Sequence, residues 1–483
     1  MRREAIMTEM RERNISLEQM DRETLIHPYT ALGEGRAEPT LVTGAKGIEV
    51  SFSNGRTCID AMSSMNCVNI GYGNQRVAEA IAKQARELAY SHSFLGVTNE
   101  PSVRLADRLL NKLLPGQMSR VMFYSSGSEA VDAAIKCIWM YNYLRGKPEK
   151  SKIISRKGSY HGVTLGAASV SGSESMRKGF NLPLPGFLLT ENFHYFREAQ
   201  PGESERDYSK RLARILDEQI VAEGPETVAA YVAEPALGAG CAVMPPEGYY
   251  EEVIKVLRRH DVLFFDDECI TGFGRTGNWF ACTTFGFHSE PDIMTMSKGI
   301  TSAYIPLSAV AISEKIWQVL RDGVPSEAVP IYATGSTASG HPIACAAANE
   351  NIDVMIDENL IANSQMVGAI LKQRLIERIG DHPLIGEIRG EGLMVGLDLV
   401  ADKATNAILD PAWDCAHRLV ELCREQEDLI VRAFFGTSSM SFGPPIILNE
   451  AQADDIVGRV ERALASLTDE LRADGRWPGS AGT

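Results

Sequence analysis

Two residues in this chain stand where reactive chemistry would need them: Asp267, in the run FFDDECITGFGRTG, and Lys298, in the run MTMSKGI. The stretches before them, VLFFD (262–266) and IMTMS (293–297), are apolar until they meet an ionisable group. Both read as fully buried parallel strands. An unpaired buried charge is costly, so two core strands that each deliver one imply a site. A lysine can condense with an aldehyde to a Schiff base. A carboxylate can keep a pyridine nitrogen protonated, so that the ring accepts electrons from a substrate carbanion. Together these are what pyridoxal 5′-phosphate requires.

Other polar groups gather at the ends of neighbouring strands. FYSSGSEAVDAAIK places Ser126, Gly127 and Ser128 between a strand and a helix, with Glu129 and Asp132 in the first turns, where carboxylates suit the dipole. Free N–H groups beside small side chains can cradle a phosphate; the plain alternative is a serine N-cap. Tyr160-His161-Gly162 follows the strand KIIS, and its tyrosine either stacks on a flat ring or packs on the sheet edge. Glu234 ends AAYVA at the carboxyl edge, where open α/β sheets bind ligands; it could equally be an ion-pair partner. Thr337, in STASGHP, offers a hydroxyl to a phosphate or closes a turn. Arg432, in DLIVRAFFG, is a carboxylate clamp or a structural ion pair.

Two competing motifs are present. GFGRTG (272–277) matches the dinucleotide pattern GxGxxG, but its glycines come late after the strand and NWFACTTFGF is no long amphipathic helix. The triplet Asp266-Asp267-Glu268 could ligate Mg²⁺, but no partner carboxylate cluster accompanies it. The nine histidines lack HxxxH or HExxH spacing, so no metal site is expected.

The elements that must hold these groups alternate. Strands are expected at 121–125, 152–155, 229–234, 262–266, 293–297 and 307–313, separated by helices such as 128–144 and 248–260. That is a doubly wound α/β pattern with a mostly parallel sheet. Before it, residues 1 to about 25 read as an amphipathic arm helix, and 41–60 as a hairpin turning at Asn54-Gly55. After His341-Pro342 the pattern becomes α+β: helices at 343–357, 360–379, 412–427 and 449–472, strands around 386–400, and a short pair at 429–433 and 439–442. The tail GRWPGSAGT reads as frayed. The expected division is 1–75 (arm and part of a small domain), 76–340 (large cofactor-binding domain) and 341–483 (C-terminal small domain).

Composition bounds the rest. A chain of 483 residues exceeds one compact core. A net charge of −15 argues against nucleic acid and anionic membrane surfaces as partners. Nine singly scattered cysteines fit reduced, mostly buried thiols in a cytoplasmic protein. No secretory signal and no apolar run long enough for a membrane span is present.

SGSEAVDAAIK, SYHG, AEPALGAG, DDECITGFGRTG, SKG and TASGHP stand in the order and rough spacing of the class III (omega-amino acid type) aminotransferases, and the chain resembles that family from about residue 25 to 470. The resemblance implies a fold-type I pyridoxal phosphate enzyme: a large domain with a mostly parallel sheet between helices, plus a smaller α+β domain. It also implies a homodimer, possibly a tetramer, with sites at the subunit interface. It makes Lys298 the Schiff-base lysine and Asp267 the partner of the pyridine nitrogen. Tyr160 would lie over the ring, and Gly127 and Ser128 would hold the phosphate, with Thr337 reaching it from the other subunit. Ser126, His161, Glu234 and Cys269 complete the implied cofactor set; Arg432, Asn66 and Phe94 form the implied substrate set. Two departures matter. Ornithine- and GABA-type members read DEVQTG, whereas Ile270 stands here in place of the glutamine, which favours the amine:pyruvate branch. That branch commonly carries a tryptophan where this chain has Asn66, so its donor pocket should be roomier. The expectation is a ping-pong transaminase moving an amino group from a primary amine or omega-amino acid donor to a keto acid acceptor, pyruvate foremost. The alternatives are a decarboxylase, racemase or aminomutase on the same scaffold, or a nicotinamide oxidoreductase using GFGRTG.

Overall fold

The computed structural model describes residues 16–33, 38–323, 331–434 and 437–477. Three strands come first: β1 (Val42–Lys46), β2 (Glu49–Phe52) and β3 (Thr57–Asp60) form an antiparallel meander. Its second turn is the one expected at Asn54-Gly55, with Gly55 at φ 84° supplying the left-handed residue.

Seven strands then build the main sheet: β4 (Met118–Tyr124), β5 (Lys152–Arg156), β6 (Phe187–Thr190), β7 (Val228–Ala233), β8 (Leu263–Asp267), β9 (Ile293–Met296) and β10 (Ser308–Ser313). Their spatial order is β4-β10-β9-β8-β7-β5-β6. All neighbours pair in parallel except β10, which runs antiparallel to β4 and β9. The six expected strands are all present. The seventh, β6, is a four-residue edge strand whose sequence FLLT is too short to show a period.

Strands β7, β8 and β9 are buried at every position, because helices cover both faces. The helix Gly127–Leu144 buries Ala130, Ala133, Ala134 and Ile138 on one side of the sheet, and Tyr249–Arg259 buries Tyr250, Val253 and Leu257. Because β4 points the same way as β5 to β9, the carboxyl ends of all six lie on one edge. Each expected strand-end residue therefore arrives at the same rim.

The C-terminal strands are β11 (Ile385–Glu391), β12 (Met394–Leu399), β13 (Leu429–Ile430), β14 (Arg432–Ala433) and β15 (Ser439–Phe442). The run 429–433, expected as one strand, divides at Val431. β13 pairs in parallel with β3, whereas β14 pairs antiparallel with β15 in the sheet β11-β12-β15-β14. Arg432 thus sits where the chain changes sheets. Of the expected arm, Leu17–Thr24 is helical and capped by Ser16, whose Oγ accepts from the Gln19 amide at 3.2 Å; residues 1–15 lie outside the described residues. The expected tail is partly anchored: Trp477 meets His382 edge-on and lies under Arg472, and 478–483 lie outside the description. No helix among the described residues is long and apolar enough to cross a membrane.

Candidate active site

The rim of the main sheet encloses a cavity of about 90 Å³ lined by Gly127, Ser128, Tyr160, His161, Asp267 and Lys298, with Glu234 and Cys269 among its other walls. It adjoins a second cavity of about 480 Å³ that shares Tyr160, Ile270 and Lys298 and adds Asn66 and Arg432. Expected residues scattered over three hundred positions are thus brought together.

Asp267 is almost fully buried. Its Oδ2 lies 2.7 Å from His161 Nδ1, and its Oδ1 accepts from the Thr295 hydroxyl at 2.8 Å and the Cys269 amide at 3.2 Å. Burial alone would raise this carboxyl, but the hydrogen bond and charge of His161, with the Cys269 and Thr295 donors, hold it below the ordinary carboxylate value. It is an ionised acid in the core.

Lys298 follows β9 with φ 43°, a left-handed conformation uncommon for a lysine. The residue after it must be glycine: a Cβ on Gly299 would come 2.5 Å from Asn69 Nδ2 and 2.8 Å from Phe273 Cβ. The SKG run therefore reflects tight packing that aims Lys298 at the cavity. Among the described residues no carboxylate forms an ion pair with it.

At the phosphate-type corner, Ser126 turns out to be a helix cap. Its Oγ accepts from the Glu129 amide and the Glu129 carboxylate takes the Ser125 and Ser126 amides, a reciprocal capping box. Gly127 and Ser128 face the cavity instead. A Cβ on Gly127 would lie 3.2 Å from Cys269 Sγ, and Ser128 Oγ accepts from the Val163 amide at 3.0 Å.

Glu234 is buried and braces the Tyr160 loop: its two oxygens accept from the amides of Tyr160 and Gly238, each at 2.9 Å. Burial raises its carboxyl, and likewise the thiol of Cys269. Asn66 belongs to a loop in which Ser63, Ser64 and Asn66 all have positive φ. Arg432 Nη1 lies 3.2 Å from Met65 Sδ, a weak acceptor.

Two expected residues stand apart. Thr337, whose carbonyl accepts from Tyr90 Oη at 2.8 Å, and Phe94, 44% exposed, line neither cavity within this chain. Sequence reasoning also missed several walls: Tyr29, whose hydroxyl hydrogen-bonds Tyr160, together with Met62, Met176, Cys241 and Phe434. Only Thr295 left a signal, as the one polar side chain within IMTM.

The GFGRTG loop is occupied by packing. Arg275 is wholly buried and donates to the Leu393 and Pro444 carbonyls, Ser63 Oγ and Asn69 Oδ1. Only the four-residue helix Ala281–Thr284 follows. The loop clasps the 63–69 segment rather than opening a long helix onto a pyrophosphate.

The aminotransferase class-III family matches residues 32–464. The chain is 41% identical over 460 residues to the diaminobutyrate–2-oxoglutarate transaminase of Halomonas elongata, covering 94% of this chain and 97% of that protein. It is 37% identical over 440 residues to gamma aminobutyrate transaminase 2 of Solanum lycopersicum, with 91% and 94% covered. The crystal structure of the omega transaminase from Pseudomonas jessenii in complex with PMP superposes with a TM-score of 0.90 at 38% identity, covering 96% of this chain and all of that one. The chain belongs to the class-III aminotransferases. It is a fold-type I, pyridoxal phosphate-dependent enzyme that transfers amino groups.

The residues present fit that cofactor. An ionised carboxylate, a lysine free of ion pairs, helix-start amides beside Gly127 and a half-buried tyrosine converge on one cavity.

Proposed function

We propose that the enzyme moves an amino group from a primary amine or omega-amino acid to a small keto acid, with pyruvate the favoured acceptor. The observation that carries this reading is Arg432. It lines the larger cavity beside a thioether, and no carboxylate among the described residues pairs with it. A fixed arginine facing an apolar donor would leave a charge unpaired, at a cost of a few kcal/mol. A long side chain at the switch between two sheets can lie against Met65 while an amine is bound and turn to grip the carboxylate of the acceptor. Asn66, smaller than a tryptophan and polar, leaves room and a hydrogen-bonding contact for the donor, while Met62, Met65 and Met176 give an adaptable apolar wall.

Bound pyridoxal phosphate would supply the electron sink for deprotonating the donor carbon. In this reading Lys298 would hold the aldehyde and would move the proton at the donor carbon, a contribution of roughly 10²- to 10⁴-fold. Asp267 holds the ring nitrogen protonated. Tyr160 would cover the ring, and Gly127 and Ser128 would hold the phosphate. Thr337 and Phe94 serve the site of a second copy, which makes the enzyme a homodimer. That they line neither cavity within the chain supports this, as do the exposed Tyr90, Phe94 and Leu95 around them. The division at about residues 75 and 340 is proposed alongside.

Relatives acting on diaminobutyrate or gamma aminobutyrate support the omega-amino acid donor class as well, and the former is paired with 2-oxoglutarate. The deciding experiment is a donor panel run against pyruvate and 2-oxoglutarate, scored by alanine or glutamate formed. In it, Arg432→Ala should raise the KM for the keto acid about ten-fold or more and leave the isolated half-reaction with a carboxylate-free amine nearly unchanged. Equal loss in both half-reactions would make Arg432 structural and remove the amine:pyruvate reading.

A further inference from the structure

His161 is the one ring that reaches Asp267, and its own surroundings show what it does there. Its side chain is fully buried, and Nδ1 meets Asp267 Oδ2 at 2.7 Å. The backbone that carries the ring is anchored: the His161 amide donates to Ser171 Oγ at 2.9 Å, and that hydroxyl donates to the Ala167 carbonyl at 2.9 Å. Nε2 has no hydrogen-bond partner among the described residues although it is buried. The imidazole is thus fixed on Asp267 alone.

Acids outnumber bases in the electrostatic setting. The ionisable groups near Asp267 are Asp266, which points to the other side of its own strand, Glu234 after β7, Tyr160 on the loop after β5, Cys269 beyond the strand end, and Lys298, which lines the same cavity. Apart from His161 and Lys298 these are acids, and two of them are carboxyls. Thr295 and the Cys269 amide are neutral donors, and both serve Oδ1. Oδ2 has His161 and no other donor among the described residues.

We propose that His161 is a positioning residue whose imidazole, through Oδ2, makes Asp267 the charged member of this carboxyl cluster and so gives the protein its preference for a ring nitrogen over a ring carbon at that position. The inference rests on the assignment of Asp267 to the pyridine nitrogen. A charge-assisted hydrogen bond depends on the acceptor staying ionised, and a buried carboxylate that loses a hydrogen bond to its charged form takes up a proton more readily.

The test compares binding of pyridoxal phosphate with binding of its deaza analogue, in which C–H replaces the ring nitrogen, to the full-length apoprotein by fluorescence titration. The unmodified chain should favour pyridoxal phosphate. His161→Phe should lower that preference about ten-fold, the equivalent of one unit of differential ionisation, while affinity for the analogue stays within about three-fold. His161→Asn, which keeps a side-chain donor without the ring, should fall between the two and guards against a phenylalanine that disturbs packing. Retention of the full preference in both variants overturns the inference and leaves the Asp267 assignment standing. So does an equal loss of affinity for both ligands, which would mark His161 as structural. No preference in the unmodified chain would overturn the assignment of Asp267 itself.

Discussion

Asp266 and Asp267 are neighbours at the end of β8, chemically identical and almost equally buried, yet they are in opposite states. Asp267 faces the cavity, where His161, Thr295 and the Cys269 amide surround it with donors, and its carboxyl lies below the ordinary range. Asp266 faces away. Neither of its oxygens has a hydrogen-bond partner among the described residues, and its ligand-type atoms lie within 4.8 Å of Glu268 and Cys282. Burial raises its carboxyl well above the ordinary value, and the charges of Glu268 and Asp267 add to this, against the nearby Arg156. Glu268 is also raised by burial, although Thr271 and the Cys282 amide donate to it. Depth in the core does not decide whether an acid is charged; the donors aimed at it do.

The comparison breaks most visibly at Lys298, which completes the cavity face. Lys298→Ala should abolish the visible absorbance of lysine-bound pyridoxal and lower turnover by at least about 10³-fold. Borohydride should label this lysine in the unmodified enzyme. A label on any other lysine would move the site away from the strand ends altogether.

Next in size is the contrast between the two aspartates. Asp267→Asn should still bind cofactor, yet slow the amine half-reaction by about 10²- to 10³-fold, the scale of losing one aligned electrostatic partner. Asp266→Asn should change that rate by less than about three-fold. Stopped-flow spectra of the half-reaction measure both. If Asp266→Asn proves the more damaging, the register along the strand end is reversed.

Much of this face was legible in the sequence, because a charge that ends an apolar strand contradicts its own surroundings and must have a reason. Asp267, Lys298 and Glu234 each announce themselves that way, and parallel strands then bring them to one edge. The walls of the larger cavity gave no such sign. Tyr29, Met176 and Cys241 come from separate segments and are ordinary residues in their own neighbourhoods. The division of 429–433 between two sheets was illegible for a related reason: each half finds its partner hundreds of residues away or beyond a loop, at β3 and β15. Ser126 shows the converse. Its motif was read correctly as a strand-to-helix junction, but local capping claimed the hydroxyl.

The smallest effect tests the back face directly, through pH. The carboxyls of Asp266 and Glu268 are raised in the folded protein, Glu268 to about 7. In the unfolded chain they would titrate near the ordinary value of roughly 4. Folding therefore favours the protonated forms. The stability they contribute is fully present below about pH 4 and drains away as pH rises through the folded values. Asp267 works the other way, but its carboxyl is depressed, so its contribution is lost only as pH falls below the usual carboxylate range. The two windows do not overlap, and between about pH 5 and 8 Asp266 and Glu268 contribute to the slope alongside the raised Glu234 and His194, whereas Asp267 does not. Asp266→Asn removes one of the two acids and leaves Glu268, raised by its own burial. The fall in Tm between those pH values should shrink by about 1 °C, on the order of one kcal/mol for a chain of this size. The amide brings buried N–H donors of its own, so the absolute Tm also moves, and the readout is the slope measured by calorimetry across the range. An unchanged slope would mean that Asp266 does not titrate in this window and that its oxygens are satisfied in solution. The opposition between the two faces of β8 would then rest on Glu268 alone.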